Sequence, residues 1–328
     1  MNLEFPDSVV EDGMPAHGRY VGRIDRIDWS GLSNRPSWLW RKLHHKRWHY
    51  IGLGHDEVFI GVAIVDVGWT CTAFAYCFDR QRRRLLADWR QDGLPGLQGS
   101  VSDAPLTDAR AWFRGPGARL ELRHQSDDSL LLHVRTRSLR IEAQLDLDVM
   151  APPLLAIGPI EGGIAHATQK TTALPVLGWA EAEGQRFDLD GSWAAVDASN
   201  GLLARDTAWR WASAHRPDIG FNLQQGYFGN QENVLWLDGQ PMALGAAHFD
   251  FNPAQPMSPW HVRTEDGLLD LVFTPEGARR DDRNLLIAAS RYVQPVGTFS
   301  GTVRAGHGAP LREVRELLGV TEDHFSRW

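Results

Sequence analysis

The chain has 328 residues, 43% hydrophobic and 23% charged, with a net charge of −7. That length allows two domains, each with its own core, and the balance of apolar and charged residues is that of a folded chain rather than a disordered one. The acidic balance weighs against a non-specific binder of nucleic acid or anionic membranes, because phosphate contacts require a basic surface; no nucleic-acid partner is expected.

Residues 1–18 are polar, carry Pro6, Gly13 and Pro15, and read as a loose lead-in. They lack the basic start and apolar centre of a signal peptide, and no apolar run approaches the ~20 residues of a membrane helix. A cytoplasmic location without an integral membrane segment is expected. The stretch Arg19 to Arg47 is rich in Arg and ends in a basic and aromatic cluster, Trp38 to Tyr50. Such a cluster either binds phosphate, nucleic acid or a protein partner, or lies on the surface with its charges met by Asp and Glu elsewhere; the overall acidity favours the surface reading. His44, His45 and His49 are close in sequence, but adjacent side chains on an extended segment point to opposite sides and no carboxylate or Cys joins them, so neither a metal nor an organic cofactor is expected.

From Trp48 the pattern becomes β. Tyr50–Leu53, Val58–Val67 and Thr70–Phe78 are rich in Val, Ile, Phe and Thr and are broken by Gly. Cys71 and Cys77, the two cysteines of the chain, lie in one of these runs. At ~3.3 Å per residue they stand roughly 20 Å apart on one face, too far for a disulfide, and read as buried thiols. The charged block Asp79–Arg84 reads as a hairpin tip, with an anion site as the alternative. A second meander follows, with strands at 118–124, 129–135 and 138–146, apolar and polar residues alternating.

Pro152-Pro153, Gly158-Pro159 and Gly162-Gly163 place a domain boundary at about residue 160, giving units 1–160 and 161–328. Short runs then recur at 178–183, 186–189, 193–196, 260–264, 268–273, 285–293 and 297–303. Between them, Trp209 to Asp250 holds four more runs separated by turns at His215–Asp218, Gly229–Glu232 and Asp238-Gly239, the signature of an antiparallel meander. Leu311, Val314 and Leu318 at helical spacing, with Gly319 after them, predict a short C-terminal helix over 310–318. The expected fold class is therefore all-β with that one helix. No phosphate-binding glycine loop, Gly-x-Ser-x-Gly elbow or His-Glu-x-x-His motif occurs.

The segments Lys46-Arg47-Trp48-His49-Tyr50, Phe59 to Asp66, Ala73 to Tyr76, Trp209 to Ser213, Gly220 to Leu223, Glu232-Asn233 and Phe299-Ser300-Gly301 together resemble the bacterial family called domain of unknown function 2804. The resemblance runs from about Arg41 to Val303. It implies tandem lipocalin-like β-barrel or sandwich domains, similar in architecture to AttH-like proteins and carotenoid 1,2-hydratases. Relatives of that architecture include cofactor-free hydratases and cyclases of apolar substrates as well as lipid binders. By region, Glu232 or Asp238 is the nearest counterpart of the hydratases' catalytic acid.

The expected function is binding of a hydrophobic small molecule in a barrel or inter-domain pocket, and its transformation by cofactor-independent acid/base chemistry of hydratase, isomerase or cyclase type. A non-catalytic carrier and a protein-interaction scaffold are the alternatives. Such chemistry needs a carboxyl kept protonated by apolar walls, or an imidazole. Glu232, beside Trp236, is the first candidate acid and His215 the second. Lys170, the sole Lys of the second half, is a candidate for orienting a carbonyl or carboxylate. Asp197 and Asp206 lie at strand ends or turns, where acids and turn formers are both found. Trp209, Arg210, Trp211, Asn222, Asn233, Trp236 and His248 are the candidate ligand contacts, the aromatic residues serving equally as sheet packing.

Overall fold

The structure is a computed structural model and describes residues 4–284 and 289–328. Strands dominate, as expected, and they form two large antiparallel sheets. The first runs in the order Arg84–Gly93, Cys71–Asp79, Val58–Asp66, His45–Gly54, Trp193–Leu202, Leu174–Ala182, and then through the meander Leu139–Asp146, Ser129–Arg135, Ala118–His124, Arg110–Gly115 to Gly99–Val101. Its two ends approach each other: a Cβ on Gly99 would lie 2.9 Å from Cys71 Sγ. The near-closed barrel surrounds a core built from Ile51, Ile60, Val62, Phe113, Leu132 and Ile141 among others. Both thiols face this core, unpaired, and burial pushes them up to about 11 at Cys71 and about 12 at Cys77.

The second sheet runs Gln240–Ala243, Val234–Leu237, Ile219–Gly226, Asp206–Arg216, Arg312–Arg327, Ala289–Val303, Leu269–Asn284, Trp260–Thr264, Ala247–Asp250. The meander expected at 209–250 is present, except that its last run splits into two strands, which take the two edges of the sheet. Its concave side encloses Phe221, Leu223, Trp260, Leu271, Phe273 and Phe299.

The sheet changes between Leu202 and Asp206, not near residue 160. The Pro/Gly-rich stretch there is the turn of a hairpin, Leu154–Pro159 with Ala165–Lys170, that belongs to the first sheet. Turn chemistry marks a break in a ladder equally well within a unit and between units.

The expected C-terminal helix is a strand. Arg312–Arg327 pairs with Ala289–Val303, and the register slips where Phe299 faces Leu317 and Gly301 faces Val314. Glu316 takes up the extra residue at φ +47. Such a bulge reverses the inward and outward parity, so Val314 and Leu317 both enter the core. Apolar spacing of three, which mimics a helical stripe, arises from that irregularity.

Among the described residues an α-helix forms elsewhere, Trp38–His44, within the basic cluster; Ser37 caps it by accepting from Trp40 N at 3.2 Å. Part of the Arg-rich segment meets carboxylates, Arg47 with Asp66 and Asp103 and Arg23 with Asp128, whereas Arg19 donates to Asn230 O and Leu244 O and Lys46 to Leu43 O and Val67 O. The block after Asp79 is the hairpin turn to Arg84–Gly93. The run expected at 285–293 lies outside the described residues over 285–288; among described residues no helix is long and apolar enough to cross a membrane.

The two sheets pack against each other through the outer face of the first. Strand His45–Gly54 sends Ile51 and Leu53 into its own barrel, and sends Trp48 and Tyr50 toward the second sheet. Val58–Asp66 and Cys71–Asp79 divide in the same way, with Phe59, Tyr76 and Phe78 meeting Trp211, Val296 and Val320. Burial on both faces explains why these strands read as unbroken apolar runs. Gly61 leaves room for the Tyr76 ring, whose nearest atom would lie 2.3 Å from an added Cβ.

Candidate functional site

Three adjoining cavities lie along this seam. The central one, about 110 Å³, is walled by rings from both sheets: Trp48, Tyr50 and Phe74 from the first, Trp209, Trp211, Tyr227 and Tyr292 from the second. Into it face Lys170, Asp197, Gln224, Glu232, Glu322 and His324. A smaller space of about 40 Å³ shares Tyr50, Lys170, Asp197 and Trp211 and extends to Ser213, His215 and Asn222. A wider one of about 230 Å³ shares Phe74, Tyr292, His324 and Trp328, and is edged by Arg90, Arg279 and Arg283.

Strand register builds the charged wall. Lys170 ends the strand Ala165–Lys170 directly opposite Asp197, and its Nζ lies 2.5 Å from Asp197 Oδ2. Glu232, in the turn before Val234–Leu237, comes within 3.1 Å of the same Nζ. Although it sits in a turn, Glu232 is 5% exposed, and Lys170 is 3% exposed. Ser199 and Thr168 donate to Asp197 Oδ1 at 3.0 and 3.3 Å. Burial works against the Lys170 ammonium, but Asp197 and Glu232 outweigh it and hold the amine above its ordinary value. Burial pushes the Glu232 carboxyl above the usual carboxylate range; Lys170 opposes that shift and Asp197 adds to it. One cation facing two carboxylates, Glu232 buried and Asp197 partly so, is balanced when one carboxylate carries a proton, and Glu232 is the group held up.

His215 also reaches the seam, but its ring is committed. Nδ1 lies 2.9 Å from Thr172 Oγ1 and Nε2 2.5 Å from Ser213 Oγ, and burial pushes it down to about 3. It is a neutral, fixed imidazole at ordinary pH. Asn222 accepts from Trp211 Nε1 at 2.8 Å and donates to Glu232 O at 3.0 Å, fixing both.

The remaining predicted contacts lie off the central cavity. Arg210 projects from the other face of its strand, over the Phe251 ring and 3.7 Å from Asp323. Asn233 uses its amide within the turn, accepting from Gln224 N and donating to Gly245 O. Trp236 donates to Pro152 O and packs with Leu154 and Ala156 where the sheets meet. His248 is exposed on the strand Ala247–Asp250, at the far edge. Asp206 pairs with Arg327, and Asp238 with Arg312.

A second ionisable group in the cavity was not foreseen. Glu322 accepts from Trp209 Nε1 and Gln294 Nε2, both at 2.8 Å, and its Oε1 lies 3.1 Å from His324 Nδ1. His324 Nε2 lies 2.9 Å from Ser326 Oγ and 3.2 Å from Ser290 Oγ. Tyr50 and Tyr76 both donate to Gln294 Oε1. The signal was available: on a strand, Glu322 and His324 share a face, whereas a helix ending at Leu318 leaves them unassigned. Among the described residues, no group of three or more His, Cys, Asp or Glu is arranged to hold a metal ion.

The chain is similar in fold to three solved structures. A putative AttH from Nitrosomonas europaea is 11% identical, with a TM-score of 0.57 over 86% of this chain and 93% of that one. Kievitone hydratase from Nectria haematococca is 11% identical, with a TM-score of 0.56 over 95% and 98%. CghA with Sch210972 is 9% identical, with a TM-score of 0.59 over 98% and 97%. A comparison with the curated proteins finds no match. Residues 6–328 match the model of the family described as Domain of unknown function (DUF2804), so the architecture expected from the quoted segments is present and the chain belongs to that family.

Proposed function

We propose that the protein binds an apolar small molecule in the seam between its sheets and transforms it by acid/base chemistry of its own side chains, as a hydratase, isomerase or cyclase does. The observation that carries this reading is the buried Lys170–Glu232 pair, joined by the partly buried Asp197, opening onto a cavity whose other walls are mostly aromatic. A carboxyl held protonated among apolar walls is the donor such chemistry requires. As the O–H bond of Glu232 breaks and a bond to the substrate forms, the new carboxylate emerges 3.1 Å from the Lys170 ammonium. That cation is already in place, so the developing charge meets a preorganised partner. Glu322 and His324, on another wall, are the groups to accept a proton from the substrate or from an adding water. Lys170 thus has an electrostatic role, and His215 a supporting one through Ser213 and Thr172. The fold is shared with a protein named a hydratase, which supports the reading without carrying it.

Native mass spectrometry of the protein purified from its own host identifies a retained ligand, and incubation of that compound with wild type and Glu232→Gln tests the chemistry. Turnover is expected to fall about 10²-fold or more in the variant with binding retained. Equal turnover removes Glu232 from the mechanism; binding without conversion by the wild type makes the protein a carrier.

A further inference from the structure

The strand Ile219–Gly226 alternates between two environments. Phe221 and Leu223 enter the core of the second sheet, while Asn222 and Gln224 face the seam. The polar side chains of this neighbourhood are nearly all spent on the protein itself: Asn222 on Trp211 and Glu232, Asn233 on Gln224 N and Gly245 O. Besides the Tyr292 hydroxyl, the exception on the central cavity is Gln224. It is 2% exposed and lines the central cavity, yet neither Oε1 nor Nε2 has a hydrogen-bond partner among the described residues. A buried amide with both ends unpaired is destabilising, and an apolar side chain of the same shape would avoid that penalty.

We propose that Gln224 recognises the polar head of the molecule bound in the central cavity, and that this head is a neutral planar group with a donor and an acceptor on neighbouring atoms, such as an amide, a lactam or a hydroxyl beside a carbonyl. The side chain offers an N–H donor and a carbonyl acceptor side by side, so a partner must accept and donate in the same plane to satisfy both. A carboxylate head would meet the donor and leave the acceptor opposed. A pure hydrocarbon would leave both unpaired, and a site built to pair a polar group discriminates strongly against analogues that lack it. The aromatic walls receive the rest of the molecule, and Glu232 in the same cavity places the acid within the chamber that the head enters. The inference rests on the reading of this cavity as a ligand site.

The test compares two probes of similar shape, 2-naphthamide and 2-isopropylnaphthalene, titrated against wild type and Gln224→Leu by tryptophan quenching. The substitution is expected to move the ratio of their dissociation constants by about 10-fold or more toward the hydrocarbon, the worth of two neutral hydrogen bonds. The unliganded variant is expected to melt about 1–3 °C higher, since an unpaired amide has gone. Gln224→Met, also apolar and unbranched, repeats the measurement if the Leu variant folds poorly. Binding of both probes with an unchanged ratio overturns the inference and leaves the cavity reading standing. Binding of the hydrocarbon but not of 2-naphthamide by the wild type also overturns the inference, and failure of both probes to bind the wild type overturns the cavity reading, and the inference with it.

Discussion

Replacing Lys170 by Met removes the ammonium and keeps the length of the apolar stem. Asp197, partly buried, and Glu232, buried, then remain as two carboxyl groups without the cation that lies 2.5 and 3.1 Å from them. Folding of the variant then favours uptake of a further proton at the cluster. Protonating a carboxyl with an ordinary pKa of ~4 at pH 7 costs about 4 kcal/mol, at 1.36 kcal/mol per pH unit. This agrees with the ~3–5 kcal/mol typical of breaking a buried ion pair. A carboxyl whose folded value is raised contributes stability below its unfolded value and loses it as pH rises through the folded value. The destabilisation is therefore expected to shrink on acidification, by about 2.7 kcal/mol between pH 7 and pH 5. Urea unfolding of wild type and variant, followed by tryptophan fluorescence at both pH values, measures the difference directly. A deficit that is the same at both, or below about 1 kcal/mol at pH 7, refutes the account of a charge-balanced buried cluster.

Glu232→Gln removes the carboxyl whose folded value is raised; wild type is expected to lose stability relative to this variant as pH rises from the ordinary carboxylate range through that raised value, and parallel stability curves would contradict it. Leu317 is buried on the C-terminal strand while Leu311 is 59% exposed, so Leu317→Ala is expected to cost about 2–5 kcal/mol and Leu311→Ala less than about 0.5 kcal/mol in urea unfolding; the reverse order would restore the helical stripe. Apolar ligands are expected to quench tryptophan fluorescence and raise the melting temperature, by about 2.7 kcal/mol of linkage at a hundredfold excess over the dissociation constant, whereas nucleotides and oligonucleotides leave both unchanged.

Much of the fold is legible in the residues because alternation reports directly on burial. The strands at 118–124 and 129–135 match the sequence reading residue for residue, each having one wet face. Where alternation is broken, the reading fails for an identifiable reason. The bulge at Glu316 shifts parity and imitates a helix, and the turn at Gly158–Gly163 imitates a boundary because turns look alike wherever they occur. The site is legible only in part. Lys170 and Glu232 stand out as single residues, but their union with Asp197 depends on which strands pair and in what register. The cluster at Glu322 and His324 was hidden by the helix assigned just before it. Trp236 and Asn233, neighbours of Glu232 in sequence, turn to packing and to the turn because successive side chains leave the backbone in different directions.

The central cavity takes its walls from both sheets rather than from the apolar core of either one. A guest held there touches both halves of the molecule at once and acts as a rivet between them. Its binding energy adds to their adhesion, so the two halves melt more nearly as one unit when it is present. The width of the gap, set by rings such as Tyr50 and Trp211 that stand edge to face at 5.6 Å, governs which guests fit. Selectivity can therefore drift through changes in how the halves lean on each other, with every residue of the chemical cluster left as it is.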